Sequence, residues 1–193
     1  MTTTAPQSVT RNFEGLDIPD AGTFAIDASH SAAAFTVRHL VVAKTRGRFT
    51  DFAGDIHIAD NPLDSSVEVT IQAASINTGD DTRDNHLRSP DFLDVEKYPT
   101  LTYKSTGVRH VKGSKFVLDG ELTIAGVTKS VSLELEYEGT VAHPQAGVRS
   151  GFTASTKINR EDFGLTYNQV LETGGVLVGK EISIEIEVEA VKK

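Results

Sequence analysis

The densest group of chemistry-bearing residues is Thr82-Arg83-Asp84-Asn85-His86-Leu87-Arg88-Ser89-Pro90-Asp91-Phe92. Two arginines, two aspartates and a histidine within eleven residues fit three chemistries. His86 could serve as an acid–base group, the guanidiniums could grip an anion, or the charges could fasten a short helix. The spacing favours the third. Asp80 or Asp81 suits a helix N-cap. Asp84 and Arg88 stand four apart with the acid first, the favourable order for a helical ion pair. Pro90 forces Ser89 out of the α region, and Ser89 with Pro90 and Asp91 suits a further turn. The expected element is a helix over 81–88, a break, and a turn over 90–94.

Other constellations are weaker. The six histidines, His30, His39, His57, His86, His110 and His143, form no HxH or HExxH spacing, so no metal site is expected. His57 shares a face with Asp55 and reads as solvated, whereas His30 and His39 bracket a strand and read as hydrogen-bonding residues. Asp27, His30 and Ser31 have triad residue types but stand too close in sequence for a nucleophile–base–orienter relay. GxSxG, P-loop and GxGxxG patterns do not occur, so neither a catalytic residue nor a cofactor is expected. Cysteine is absent, which excludes disulfides, thiolate zinc sites and a thiol nucleophile. The net charge of -8 argues against attraction to nucleic acid or an anionic membrane by bulk field, so an anionic ligand would need a local cluster of Lys or Arg.

The elements that must position these residues are mainly strands. Apolar and polar residues alternate with period two along Phe24–Ile26, Ala33–Val37, Phe52–Ile58, Val67–Ala73, Leu101–Ser105, Phe116–Ile124, Val131–Tyr137, Phe152–Ile158 and Ile182–Ala190, which predicts about nine strands. Lys112-Gly113-Ser114 and Ala125-Gly126-Val127 read as short turns between antiparallel neighbours. Residues 1–20 read as a flexible N-terminal segment, in which Phe13, Leu16 and Ile18 offer docking side chains, and 21–193 as one domain. Long strands with one apolar face satisfy their edges best by closing on themselves. The expected fold is all-β: a lipocalin-like antiparallel β-barrel of about eight strands with one short helix at about 81–94. Such a barrel is filled by its own side chains or holds one small ligand.

Several stretches carry a family resemblance: IDASHSAAAFTVRHL (26–40), TRGRFTDFAGDI (45–56), ASINTGDDTRDNHLRSPDFLDVEKYPTLTYKS (74–105), LDGELTIAGVTKSVSLELE (118–136), INREDFGLTYN (158–168) and VGKEISIEIEVEA (178–190). In this order and spacing the chain resembles the YceI-like family of polyisoprenoid-binding, lipocalin-like barrel proteins. The resemblance covers residues 22–191. It implies an apolar channel that binds long isoprenoid lipids or other amphiphiles, and it carries no established catalytic site.

The inward-facing candidates for that channel are Phe24, Phe35, Val37, Phe49, Phe52, Ile56, Val69, Ile71, Leu101, Tyr103, Phe116, Leu118, Leu133, Phe152 and Ile184. Head-group candidates are Arg46 and Arg48, on a loop edge that also reads as an ordinary solvated turn, together with Arg83 and Arg88, which also read as helix anchors. Arg160 reads as a partner of Asp84 or Asp162. The expected function is binding, storage or transport of an isoprenoid-type lipid. Alternatives are a filled barrel acting as a stress-related structural or interaction protein, and an enzyme on a lipophilic substrate with His30, His39 or His86 as base. The expected partner is an isoprenoid or other long-chain amphiphile, with no nucleic acid and no membrane span; a homodimer is compatible with the sequence. The first residues lack the charged and apolar regions of a secretory signal, which gives a cytoplasmic expectation, although some bacterial relatives carry a signal and work in the periplasm.

Overall fold

Alternation of apolar and charged residues leaves each strand one face for a core, and the antiparallel pairing of those faces builds the structure. The computed structural model describes residues 8–40, 42–170 and 177–193. A hairpin of β1 (Thr10–Phe13) and β2 (Leu16–Pro19) comes first. Then follow β3 (Gly22–Ile26), β4 (Ala32–His39), β5 (Ala43–Phe49), β6 (Phe52–Ile58), β7 (Ser66–Gln72) and β8 (Ile76–Asn77). Helix α1 (Asp81–Arg88) separates these from β9 (Thr100–Lys112), β10 (Lys115–Ile124), β11 (Val127–His143), β12 (Gly147–Asn159) and β13 (Val178–Lys192).

The sheet runs β12-β11-β10-β9-β7-β6-β3-β13, and the pairing of β12 with β13 closes it into a barrel. One edge of β13 pairs with β4 over Val178–Glu187 and with β3 over Ala190–Lys192. β3 and β4 are therefore one wall strand with a break. The same holds for β5 with β6, which pair with β4 and β3 respectively, and for β7 with β8, which pair with β6 and β5. Counted this way, the barrel has eight antiparallel wall strands, as the alternation and strand lengths lead one to expect.

Two-residue turns close the hairpins β1–β2, β9–β10 and β10–β11. At Ala125-Gly126 both residues have positive φ, 47° and 77°, the combination that matches strand twist. Gly126 is required there: a Cβ would lie 2.5 Å from the Tyr98 ring. The main core gathers Leu101, Tyr103, Leu118, Leu122, Leu133 and Ile158 with Leu93, Phe163 and Leu165 from the helix end.

Two expectations are corrected. Within the segment expected to be flexible, residues 10–19 form a hairpin docked on the barrel, while 1–7 lie outside the described residues. Its sequence supplies the reasons. Ile18 packs with Phe116 and Tyr137, flanked by Phe13 and Leu16, and Arg11 donates to the carbonyls of Ala59 and Asp60 in the turn after β6. The second correction concerns Arg46 and Arg48. They lie within strand β5 rather than in a turn, opposite Thr36 and Ala34 of β4. The alternation there was masked because two of the inward positions are Thr45 and Gly47, neither of which is apolar enough to mark a period.

Candidate ligand cavity

The barrel encloses a cavity of about 330 Å³, near the lower end of volumes that hold small ligands. At one end the N-terminal hairpin supplies Ile18 and Pro19; at the other, α1 and the turn after it supply Leu87, Phe92 and Leu93. Between them the wall is almost entirely hydrocarbon, with Ser65, Ser66, Thr153, Thr156, two tyrosine hydroxyls and Arg160 as the polar exceptions. An apolar wall of this kind rewards burial of CH₂ groups and gives no direction to a polar ligand.

Among the inward candidates, Phe35, Val37, Phe49, Phe52, Ile56, Val69, Ile71, Leu101, Tyr103, Phe116, Leu118, Leu133, Phe152 and Ile184 stand on the cavity wall. Phe24 does not. It is 1 % exposed and packs with Ile58 and Ala190 in a separate cluster, with the Lys192 ammonium 5.8 Å from its ring centre. Its inward parity is as expected, but β3 starts beyond the end of the cavity. Tyr103 donates its hydroxyl to the carbonyls of Leu118 and Val131, at 3.0 and 3.3 Å. Burial pushes that phenol up to about 12, with the nearby Asp119 charge a smaller cause.

The four arginines expected at a ligand head are placed elsewhere. Arg46 and Arg48 are exposed on the outer face of β5. Arg88 donates to the carbonyls of Ala74 and Ile76, both at 2.8 Å, and to Asn85 at 3.1 Å. Arg83 donates to the hydroxyl and carbonyl of Thr78, at 2.7 and 3.0 Å. Helix α1 begins at an Asp80 side-chain cap on the Arg83 N–H, 2.9 Å long, and ends at Ser89, as its sequence suggests. The expected Asp84–Arg88 pair is absent. Asp84, 3 % exposed, accepts from Thr78 instead, because the chain entering the helix offers unpaired donors closer than the next turn does. These charges fasten the helix to the barrel rim.

The cation that does reach the cavity is Arg160, which the sequence reading assigned to a carboxylate. It is 3 % exposed. Its guanidinium donates to the carbonyls of Leu165, Gly179 and Val178, not to Asp84 or Asp162. The 3₁₀ turn Arg160–Phe163, capped by the Asn159 side chain, aims it inward. Burial lowers its pKa from the ordinary value, opposed by the charge of Glu161. Nothing in the local sequence distinguishes it from a surface arginine; only the turn that follows β12 turns it inward.

Outside the barrel, Asp27 accepts from the Ser29 N–H (3.0 Å) and hydroxyl (2.5 Å), from His30 Nδ1 (3.0 Å) and from Arg149 (2.9 Å). Arg149 also bridges to Glu189. These bonds, Ser29 first and Arg149 next, hold the Asp27 carboxyl well below the usual carboxylate range. Ser29 also meets His30 at Nδ1, 3.0 Å away. A triad needs nucleophile and orienter on opposite nitrogens of the histidine, whereas Ser29 and Asp27 share Nδ1 here and Ser31 bonds the Glu189 backbone, so this group lacks relay geometry. Asp27, His30 and Glu189 converge as potential metal ligands, but the Arg149 guanidinium already occupies the space between the two carboxylates. The group ties β12 and β13 to the corner between β3 and β4. Asp27 and Arg149 are 122 positions apart, and no sequence signal joins them.

Among the described residues no helix is long and apolar enough to cross a membrane. Comparison with solved structures finds the same barrel in Burkholderia cenocepacia BcnA, with a TM-score of 0.73 at 22% identity, covering 85% of this chain and 98% of that one. A polyisoprenoid binding domain from Saccharophagus degradans, at 15% identity and TM-score 0.66, covers 90% of this chain and is itself covered completely, at 100%. Closer in sequence is the Campylobacter jejuni YCEI protein: 33% identity, TM-score 0.69, 81% of this chain and 90% of that one. Among curated proteins, a UPF0312 protein of Staphylococcus aureus is 36% identical over 170 residues, which are 86% of this chain and 95% of the relative. The YceI-like domain matches residues 24–190, and the chain belongs to the YceI-like family.

Proposed function

We propose that the barrel binds the apolar chain of an isoprenoid-type lipid, or a similar long-chain amphiphile, and acts as a carrier or reservoir for it. The observation that carries this reading is the 330 Å³ hydrocarbon-walled cavity inside a closed barrel. Each buried CH₂ contributes about 0.8 kcal/mol, so a chain segment of about ten carbons would offset the ordering costs of association. Such a wall responds to apolar area and is indifferent to the far end of a longer chain. Arg160, the one cation on the wall among the described residues, is the group that would meet a polar or anionic end. The likeness to a protein described as a polyisoprenoid binding domain supports the ligand class.

Two features weigh against the other readings. A barrel filled by its own side chains would leave no cavity of this size. A hydroxyl nucleophile needs a base beside it to activate it, and the described residues lining the cavity include no histidine, lysine or carboxylate to serve Ser65, Ser66 or the threonines. Native mass spectrometry before and after organic extraction tests the proposal. The expected result is a lipid adduct, or uptake of an added polyprenyl phosphate at one per chain. Protein that neither carries nor takes up such a ligand would sink it.

A further inference from the structure

From Ala28 to Thr50 the chain contains no acidic residue, yet it carries Arg38, Lys44, Arg46 and Arg48 within a net charge of -8. All four are exposed on the hairpin of β4 and β5. Arg38 stands directly opposite Lys44, an arrangement of like charges that weakens a sheet. Among the described residues the side chains of Lys44, Arg46 and Arg48 form no ion pair, while the lysines at 104, 157, 180 and 193 do. Folding alone gives no reason for the concentration of Lys44, Arg46 and Arg48 on one short strand.

The tip of the same hairpin is apolar. Leu40 and Val42 are 37% and 86% exposed, and Val170 is 84% exposed. Val170 is brought to the tip through Leu177, which accepts from the Leu40 N–H and donates to the Gln169 carbonyl, both at 3.0 Å. The tip continues the cavity wall. Val37 and Val178 line the cavity, and Val178 pairs with His39. Several acidic side chains of the same barrel end are engaged, whereas Asp81 and Asp162 are exposed: Asp80 caps α1, Asp91 meets His86, and Glu161 and Glu181 pair with Lys180 and Lys157.

We propose that this end of the barrel docks on an anionic phospholipid surface. Leu40, Val42 and Val170 enter the interface, with Lys44 at phosphate level. Arg46 follows ~7 Å behind Lys44 at ~3.3 Å per residue, within the ~8 Å reach of charge at physiological salt, and Arg48 ~13 Å behind, where screening leaves it a smaller share. The charge selects this occupant: a second copy docked by the same face would set Lys44, Arg46 and Arg48 against the same three, whereas an anionic leaflet attracts each of them. The apolar tip then places the cavity wall at the depth from which a lipid chain would enter. The docking surface goes beyond lipid binding in the barrel and does not depend on it.

The test is flotation of lipid-free protein with vesicles of phosphatidylcholine alone and with phosphatidylglycerol added. Protein should float with the anionic vesicles only, and rising salt should release it. The double variant Arg46→Gln/Arg48→Gln, both on the outer face of β5, should reduce flotation on the order of threefold. Leu40→Ser/Val42→Ser should also reduce it, with circular dichroism unchanged for both variants. Equal flotation of wild type and charge variant, or none on anionic vesicles, would overturn the proposal. So would light scattering that shows a dimer whose contact is lost with the tip variant. Ligand uptake measured by native mass spectrometry reads the cavity independently, so a failure of docking and a failure of lipid binding remain separate results.

Discussion

Asp84 accepts hydrogen bonds from both the N–H and the hydroxyl of Thr78, at 2.9 and 2.5 Å, while buried to 3 % exposure. This pair fixes where the helix meets the barrel. Bonds to a charged acceptor contribute about 1.5–3 kcal/mol. Asp84→Ala should therefore lower unfolding free energy by about 2–3 kcal/mol in a denaturant titration. An unchanged midpoint would mean that the helix is held mainly by Arg88 and Leu87.

The cavity can be closed from within. Ala154 lies on its wall, between Leu135 of β11 and Ile186 of β13 in register. Ala154→Phe should abolish uptake of a long-chain ligand in native mass spectrometry. It should leave thermal stability near that of the wild type, because the ring enters open space; in a filled core, overpacking costs about 1–3 kcal/mol. Full uptake by this variant would place the ligand outside the barrel.

Arg160 should serve both stability and ligand choice. Arg160→Met removes the donors to the carbonyls of Leu165, Gly179 and Val178, and unpaired buried acceptors cost about 1–3 kcal/mol. Binding of a polyprenyl phosphate should fall more than binding of the uncharged alcohol of the same length. Equal losses for both ligands would remove Arg160 from any role at a polar head.

Acid should weaken the barrel through two aspartates. The Ser29 and Arg149 bonds hold Asp27 well below 3.8, and Arg109, then Ser132, lower Asp119 to about 2. Both bind fewer protons folded than unfolded below about pH 4, so stability rises with pH there. Their contribution is complete above the ordinary carboxylate range and is lost as pH falls through the folded values. Melting temperature followed against pH should show a shallower acid limb in Asp27→Asn than in wild type. Parallel curves would assign the acid sensitivity to other groups.

The barrel was largely legible because its signal is local. Strands such as β10 and β13 carry alternation residue by residue, and α1 carries its cap at Asp80 and its stop at Pro90. The cavity wall followed from the same parity, which is why Phe24 was misplaced: parity says which way a side chain points and not how far along the barrel it sits. Strand β5 was hidden because two of its inward positions hold Thr45 and Gly47, and Gly47 is needed where a Cβ would strike the Phe35 ring at 2.4 Å. Arg160 and the Asp27–Arg149 bridge were illegible for a different reason. Their partners are backbone carbonyls or residues far along the chain, and one-dimensional spacing records neither.

The breaks between β3 and β4, β5 and β6, and β7 and β8 fall side by side in register. They form a crease across three neighbouring wall strands, like the fold that divides two leaves of a screen. Strand β13 crosses the crease unbroken, holding β4 on one leaf and β3 on the other. It is the hinge post from which both leaves hang. Shearing either leaf from it would leave the barrel open along that side, whatever the remaining strands did.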